Sequence, residues 1–314
     1  MPHKTTLMEY IKQPLTYEAQ ADQLLQRGLQ ADREELIRRL QAVSYYRLSG
    51  YLHTFRELDA NGERTDRFCD NTNLQEIWSR YCFDRRLRVL TLDAIERIEV
   101  SIRTKLIYHF SRTHGPFGYC DDSKLPNLKI DRYLEWRISL QEETARSKEE
   151  FKRHFFDKYG DHHRNLPLWM LTEIMTMGSL LTFFRGVERD IVQCVAGEYG
   201  LVDEVALSWL LSLNAARNIC AHHCRFWNRT LGYEPKLPNR KKYPEWHGAP
   251  QIRKNRPGII LFMCRHLLRL ISSTSQWHTR VEELFKQYSN IPIAQMGLPD
   301  DWKIHPIWVG DEAR

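Results

Sequence analysis

Cysteine is scarce and unpatterned in this chain: there are seven, an odd number, and no two form a Cys-x-x-Cys pair. That speaks against a disulfide framework and for reduced thiols in a cytoplasmic protein. Glycine and proline, 15 and 13 residues, are too few for a fibrous or disordered chain. The stretch from Met1 to Lys12 lacks the apolar run of a secretory leader. A membrane-length apolar run is missing too. The nearest approach, Leu168 to Phe184, carries Glu173 and is broken by threonines, a serine and Gly178, so it reads as a buried core helix. The remaining picture is a chain of 314 residues, 42% apolar and 27% charged, long enough to bury a substantial core.

The charge surplus is small, +6 overall, but it is concentrated. Between Arg225 and Arg256 stand nine lysines and arginines against Glu234 and Glu245, a local excess of +7 that includes Arg229, Lys241 and Lys242. A solvated basic loop is the plain reading of such a run. Its place directly after a polar block at 214–229 favours a partner that carries phosphates.

Helical periodicity dominates. Asp32-x-x-Glu35 is a capping-box signature ahead of Leu36, Ile37, Leu40 and Val43. A Tyr-rich segment, Tyr45 to Tyr51, comes next, and Asn61-Gly62 marks a tight turn in a short hairpin near 55–70. From Asn73 to Thr113 there is neither proline nor glycine, and apolar residues recur from Leu74 to Phe110. That spacing predicts one very long helix, or two nearly collinear ones, about 60 Å in all at the helical rise. Gly115-Pro116 stops it. Further helices are expected over 131–158, 168–186, 188–199, 203–228, 258–273 and 277–289. The expected fold is all-α: a small N-terminal helical module (1–70), a helical body (71–290) with an irregular basic loop at 230–257, and a C-terminal tail (291–314).

The residues with chemistry are gathered between Asn214 and Arg229. Arg217, Asn218, His222, His223, Arg225, Asn228 and Arg229 all fall there, after the apolar run Val205 to Leu211. An arginine followed within a few residues by histidine is common, and the chain repeats it at Arg47/His53, Arg103/His109 and Arg240/His247. Position 217 differs because Asn218 comes directly after it and stands four residues before His222, on one helix face. These side chains suit cleavage of RNA without metal. Histidine titrates near neutrality and can take or give a proton, while a guanidinium is a fixed planar cation for phosphate oxygens. Arg217 and His222 would point about 140° apart on an ideal helix. Two copies facing across a twofold axis would solve that, so a homodimer with a composite site is expected.

The Arg217-Asn218-x-x-x-His222 core resembles the signature of the HEPN superfamily of helical ribonucleases. The wider block from Arg217 to Arg229 resembles the AbiD/AbiF type of abortive-infection protein, as do Tyr45 to Leu52, Phe83 to Arg88 with Leu92 to Glu99, and Leu168-Trp169-Met170 with Gly178-Ser179-Leu180. The resemblance runs in order over roughly 35–270. It implies a HEPN-like helical bundle that dimerises, and metal-independent endoribonuclease activity leaving a 2′,3′-cyclic phosphate and a 5′-hydroxyl. It also implies a toxin role in defence against phage, in some members restrained by a small RNA. Carried onto this chain, it assigns Arg217, Asn218 and His222 to catalysis. His223, Arg225, Asn228 and Arg229, with Lys241 and Lys242 of the loop, are the supporting and RNA-binding set; no metal or other cofactor is expected.

Other readings stay open beside this one. The same block in a non-catalytic RNA-binding module would only grip phosphates. Nucleotide transfer would need a Gly-Ser and paired-Asp pattern, and Asp121-Asp122-Ser123 lacks that context. Cys220 and Cys224, four apart with the histidines between them, suggest a zinc site, but no second ligand pair appears. His162-His163 reads as exposed loop, Phe226 and Trp227 as core or dimer interface, and Glu96 and Glu99 as surface ion-pair partners or as carboxylates behind the site arginines. Arg47 and the tyrosines around it suit either base stacking or a structural joint.

Overall fold

The computed structural model describes residues 11–248 and 251–309. Residues 1–10, Ala249 and Pro250 of the basic loop, and the last five residues of the tail lie outside them. Among the described residues the regular structure is helical apart from one two-stranded hairpin and an isolated bridge. It divides into two compact units, one up to Asp84 and the other from Arg85 onward.

In the first unit α1 (Tyr17–Gln26) packs Ala21 and Leu24 with Leu36, Ile37 and Leu40 of α2 (Arg33–Val43). The carboxylate of Asp32 accepts from the N–H of Glu35 at 2.8 Å, the cap the sequence predicts. Ser44, at φ 61°, both ends α2 and caps α3 (Tyr45–Leu52). In the hairpin, β1 (Arg56–Leu58) and β2 (Arg64–Phe68) pair antiparallel. Its turn is closed by the Asp59 carboxylate, which accepts from the N–H groups of Asn61 and Glu63, with Gly62 at φ 79°. Tyr51 stays in this unit as a buried joint: its hydroxyl donates to the carboxylate of fully buried Asp84 at 2.6 Å.

The long segment forms one unbroken helix, α4 (Leu74–His114), of 41 residues. It ends at Gly115, whose φ of 73° lets the chain turn away. Its buried positions in the second unit, Leu87, Ala94, Ile95, Ile98, Ile102 and Leu106, keep the three-to-four spacing of a single apolar stripe. The helix expected at 131–158 is two: α5 (Ile130–Arg146) and α6 (Glu150–Tyr159). No glycine or proline marks the break. Ser147 turns the chain with its hydroxyl on the N–H of Glu149, and Lys152 caps the freed carbonyls of Ala145 and Ser147.

Leu168 to Phe184 is buried helix, as expected, but is likewise divided into α7 (Leu168–Leu171) and α8 (Met177–Gly186). Thr176 caps α8, and Ser179 donates to Glu143 at 2.8 Å. No described helix is long and apolar enough to cross a membrane. After α9 (Arg189–Gly197) comes α10 (Asp203–Ala221), which packs on α8, α9 and α11 (Pro257–Ile271). Every residue of α11 from Pro257 to Arg265 is buried, which makes it the centre of the unit. α12 (Trp277–Gln287) and the short α13 (Pro306–Val309) close the chain over a cluster formed by Phe262, Trp277, Trp302 and Trp308.

Candidate active site

Helix α10 carries the first half of the block, with Arg217 and Asn218 in its last turns. Its inner face, Val205, Ala206, Trp209, Leu210, Leu213, Ala216 and Cys220, is buried, which fixes the rotation of the helix about its axis. Arg217 then stands half-buried at the margin of that face, and Asn218 is exposed beside it. The Arg217 guanidinium approaches the Asn218 side-chain oxygen at 3.4 Å.

The helix does not run on to residue 228. It ends at Ala221, with His222 as the cap at φ −85°. The N–H of His222 donates to the carbonyl of Asn218 (3.0 Å), that of His223 to Cys220 (3.1 Å) and that of Cys224 to Ile219 (2.9 Å). This is a Schellman closure with His223, at φ 57°, in the left-handed position usually filled by glycine. One expectation falls with it: the helix predicted to run to 228 is cut short, and the residues from His223 onward leave its axis. His222 itself, whose N–H still makes the i→i−4 bond, keeps its place on the helix, about 140° from Arg217. The two histidines are exposed where the carbonyl end of α10 opens to solvent.

The zinc reading loses its geometry as well. Cys220 is buried, and Cys224 lies past the helix end, exposed. Cys264 of α11 is wholly enclosed; burial pushes its thiol well up, and neighbouring Cys220 adds to the effect. Among the described residues no group of three or more His, Cys, Asp or Glu is placed to hold a metal.

The turn beyond the cap is held from beneath. Phe226 and Trp227 are fully buried, so they serve the core. Arg88 of α4, 4% exposed, donates to the carbonyl of Cys224 at 3.4 Å. Arg256, the residue before α11, donates to the carbonyl of Asn228 at 2.9 Å. The Asn228 amide reaches Gln295 at 3.4 Å, while its own oxygen is buried with no partner among the described residues. Arg88 and Arg256 are positioning residues that spacing along the chain does not reveal, because each arrives from a distant segment.

The basic loop is better anchored than its composition suggests. Trp209 donates to the carbonyl of Lys236 (2.8 Å), the Lys236 N–H returns to Ser208 (2.7 Å), and Trp246 packs on Trp209 at 5.0 Å. Two of the loop's lysines sit on acidic partners, Lys236 on Glu204 at 2.6 Å and Lys254 on Glu234 at 4.0 Å. Arg229, Arg240, Lys241 and Lys242 are exposed, with no carboxylate partner among the described residues. Lys241 and Lys242 stand on the turn that follows Asn239, whose side-chain oxygen accepts from the N–H of Lys241 at 2.8 Å.

Of the remaining candidates, Glu99 pairs with Arg103 at 2.7 Å, and Arg103 also donates to the carbonyls of Thr172 and Met175. Glu96 is exposed. His162 and His163 are exposed, His163 stacking on Phe117 at 4.8 Å.

A family model described as Abi-like protein matches residues 38–228, from α2 to the end of the pinned turn. No curated protein matches the chain, and no solved structure does.

Proposed function

The chain belongs to the Abi-like protein family, and from that premise we propose that it is a HEPN-type endoribonuclease serving abortive infection, of the AbiD/AbiF kind. The observation that carries this reading is the exposure of Asn218 and His222, beside half-buried Arg217, at the open end of a helix whose opposite face is sealed. Polar side chains held open on a rigid, buried support are arranged for a ligand rather than for packing.

In the reaction, His222 takes the proton of a ribose 2′-hydroxyl, and that oxygen attacks the adjacent phosphorus. Arg217 offsets the negative charge that gathers on the non-bridging oxygens, with Asn218 orienting the guanidinium. The bond to the 5′-oxygen breaks as that oxygen receives a proton. The products are a 2′,3′-cyclic phosphate and a 5′-hydroxyl. One His222 cannot be base and acid in the same turnover step, so the second comes from a partner copy. The site is therefore shared across a homodimer. His223, Arg225, Asn228 and Arg229 hold the flanking backbone, and Lys241 and Lys242 extend the electrostatic footprint of the strand. A small RNA bound to the same cations would restrain the toxin.

Purified protein is incubated with transfer RNA and total RNA in the presence of a chelator, and the new ends are mapped. Cleavage with cyclic-phosphate ends is expected from the wild type, and none from Arg217→Ala or His222→Ala. Undiminished cutting by either variant overturns the assignment. Salt-sensitive binding with no products at any protein concentration shows a non-catalytic RNA-binding module instead.

A further inference from the structure

A second cationic site lies away from α10. Between α5, α6 and the segment leading into α7 is an open cavity of about 300 Å³. Its floor is apolar and aromatic: Tyr119, Leu140 and Leu166, each about 1% exposed, with Leu171 beside them. Three cations line it, Arg137 from α5, Lys152 from α6 and Arg164 from the connecting segment. The remaining polar lining, Gln141, Thr144 and Asn165, is neutral, and no carboxylate among the described residues lines the cavity.

None of the three cations is neutralised. Arg137 donates to the Asn165 side-chain oxygen at 3.0 Å and lies over the Tyr119 ring at 4.8 Å. Lys152 donates to the carbonyls of Ala145 and Ser147. Arg164 is exposed and has no hydrogen-bond or ion-pair partner among the described residues. Each therefore meets only neutral groups. By contrast, two arginines of α4 in the same unit are matched with carboxylates, Arg97 with Asp93 and Arg103 with Glu99. Three like charges around one hollow repel each other unless an anion offsets them. The volume is at the lower end of small-ligand sites, and an apolar, aromatic floor beside guanidinium donors suits a base next to its phosphate.

We propose that this cavity binds a single nucleotide, its phosphate on Arg137, Lys152 and Arg164 and its base on the apolar floor. The ligand is either free or the terminal nucleotide of a strand. The site shares no residue with the ribonuclease motif and stands or falls separately from it.

The test is equilibrium titration of the full chain with AMP, adenosine, inorganic phosphate and a 5′-phosphorylated tetradeoxynucleotide that the motif cannot cut. AMP is expected to bind at least tenfold more tightly than adenosine and to be displaced by phosphate. Arg164→Glu, a change at an exposed side chain, should weaken AMP binding at least tenfold with the melting temperature unchanged. Arg217→Ala should bind AMP as the wild type does. Tighter binding of the tetramer than of AMP assigns the site to a strand end; equal or weaker binding assigns it to the free nucleotide. No saturable binding of either at millimolar concentration, or binding that Arg164→Glu leaves intact, overturns the proposal.

Discussion

The N–H of Cys224 donates to the carbonyl of Ile219 across five residues, at 2.9 Å, and this bond decides where the histidines stand. It closes α10 one turn after Arg217 and forces His223 into the left-handed region. A left-handed residue other than glycine costs about 1–2 kcal/mol. His223→Gly should therefore be at least ~1 kcal/mol more stable than His223→Val, both lacking the imidazole. His223→Val, branched at Cβ, should lower stability by about 1–2 kcal/mol. Urea unfolding of the two variants checks this, and a stable valine variant would mean that the helix end is built differently.

Arg256 holds the far side of the same turn through the Asn228 carbonyl. A hydrogen bond from a charged donor contributes about 1.5–3 kcal/mol. Arg256→Ala should slow RNA cleavage by about tenfold or more while helix content stays constant, because the turn loses its register rather than the fold its core. Single-turnover rates beside circular dichroism separate the two, and an unchanged rate would remove Arg256 from the site's support.

His266 on α11 is half-buried, with its ring near those of Trp209, Tyr243 and Trp246, and desolvation among them holds its pKa below the usual 6.5. The carbonyl of Tyr199 opposes that shift but does not outweigh it. The folded form thus binds fewer protons than the unfolded one. Stability is full above pH 6.5 and declines as pH falls from there towards the lowered folded value. Melting temperatures followed downward from about pH 7.5 should drop below pH 6.5, and His266→Gln should flatten that part of the profile. Equal slopes in both proteins would place the titration elsewhere.

Gly258 lies in the first turn of α11, where an added Cβ would meet Leu298 at 2.7 Å and the Met296 carbonyl at 2.8 Å. The backbone oxygen cannot rotate away, so Gly258→Ala should destabilise by about 1–3 kcal/mol. Gly197, whose Cβ would meet nothing within 4 Å, is the control: alanine there should be neutral or stabilising. Thermal melts of both variants decide, and equal midpoints would refute the close approach at 258.

Much of the local structure was legible from neighbouring residues alone. The proline- and glycine-free run from Asn73 to Thr113 yields α4 with little choice, since its apolar stripe has one period and a glycine at its end. Asp32 before Glu35, and Asn61-Gly62, are short-range signals whose partners lie within a few residues. The breaks at Ser147 and before Thr176 carried no such mark. Ser147 is held by Lys152, and the start of α8 by Glu143 from another helix.

By itself the sequence determined that the protein is helical, where its longest helix starts and stops, and that guanidinium, amide and imidazole groups crowd into one short block between Asn214 and Arg229. Those properties come from side-chain type and spacing. Only the tertiary structure decided that α10 stops at Ala221, that Phe226 and Trp227 are sealed inside, and that Arg88 and Arg256 grip the turn between them. The physical reason is one of distance. No glycine or proline directly follows Ala221 to stop the helix, and the turn there is held by burial of two aromatic rings and by donors reaching in from segments far along the chain.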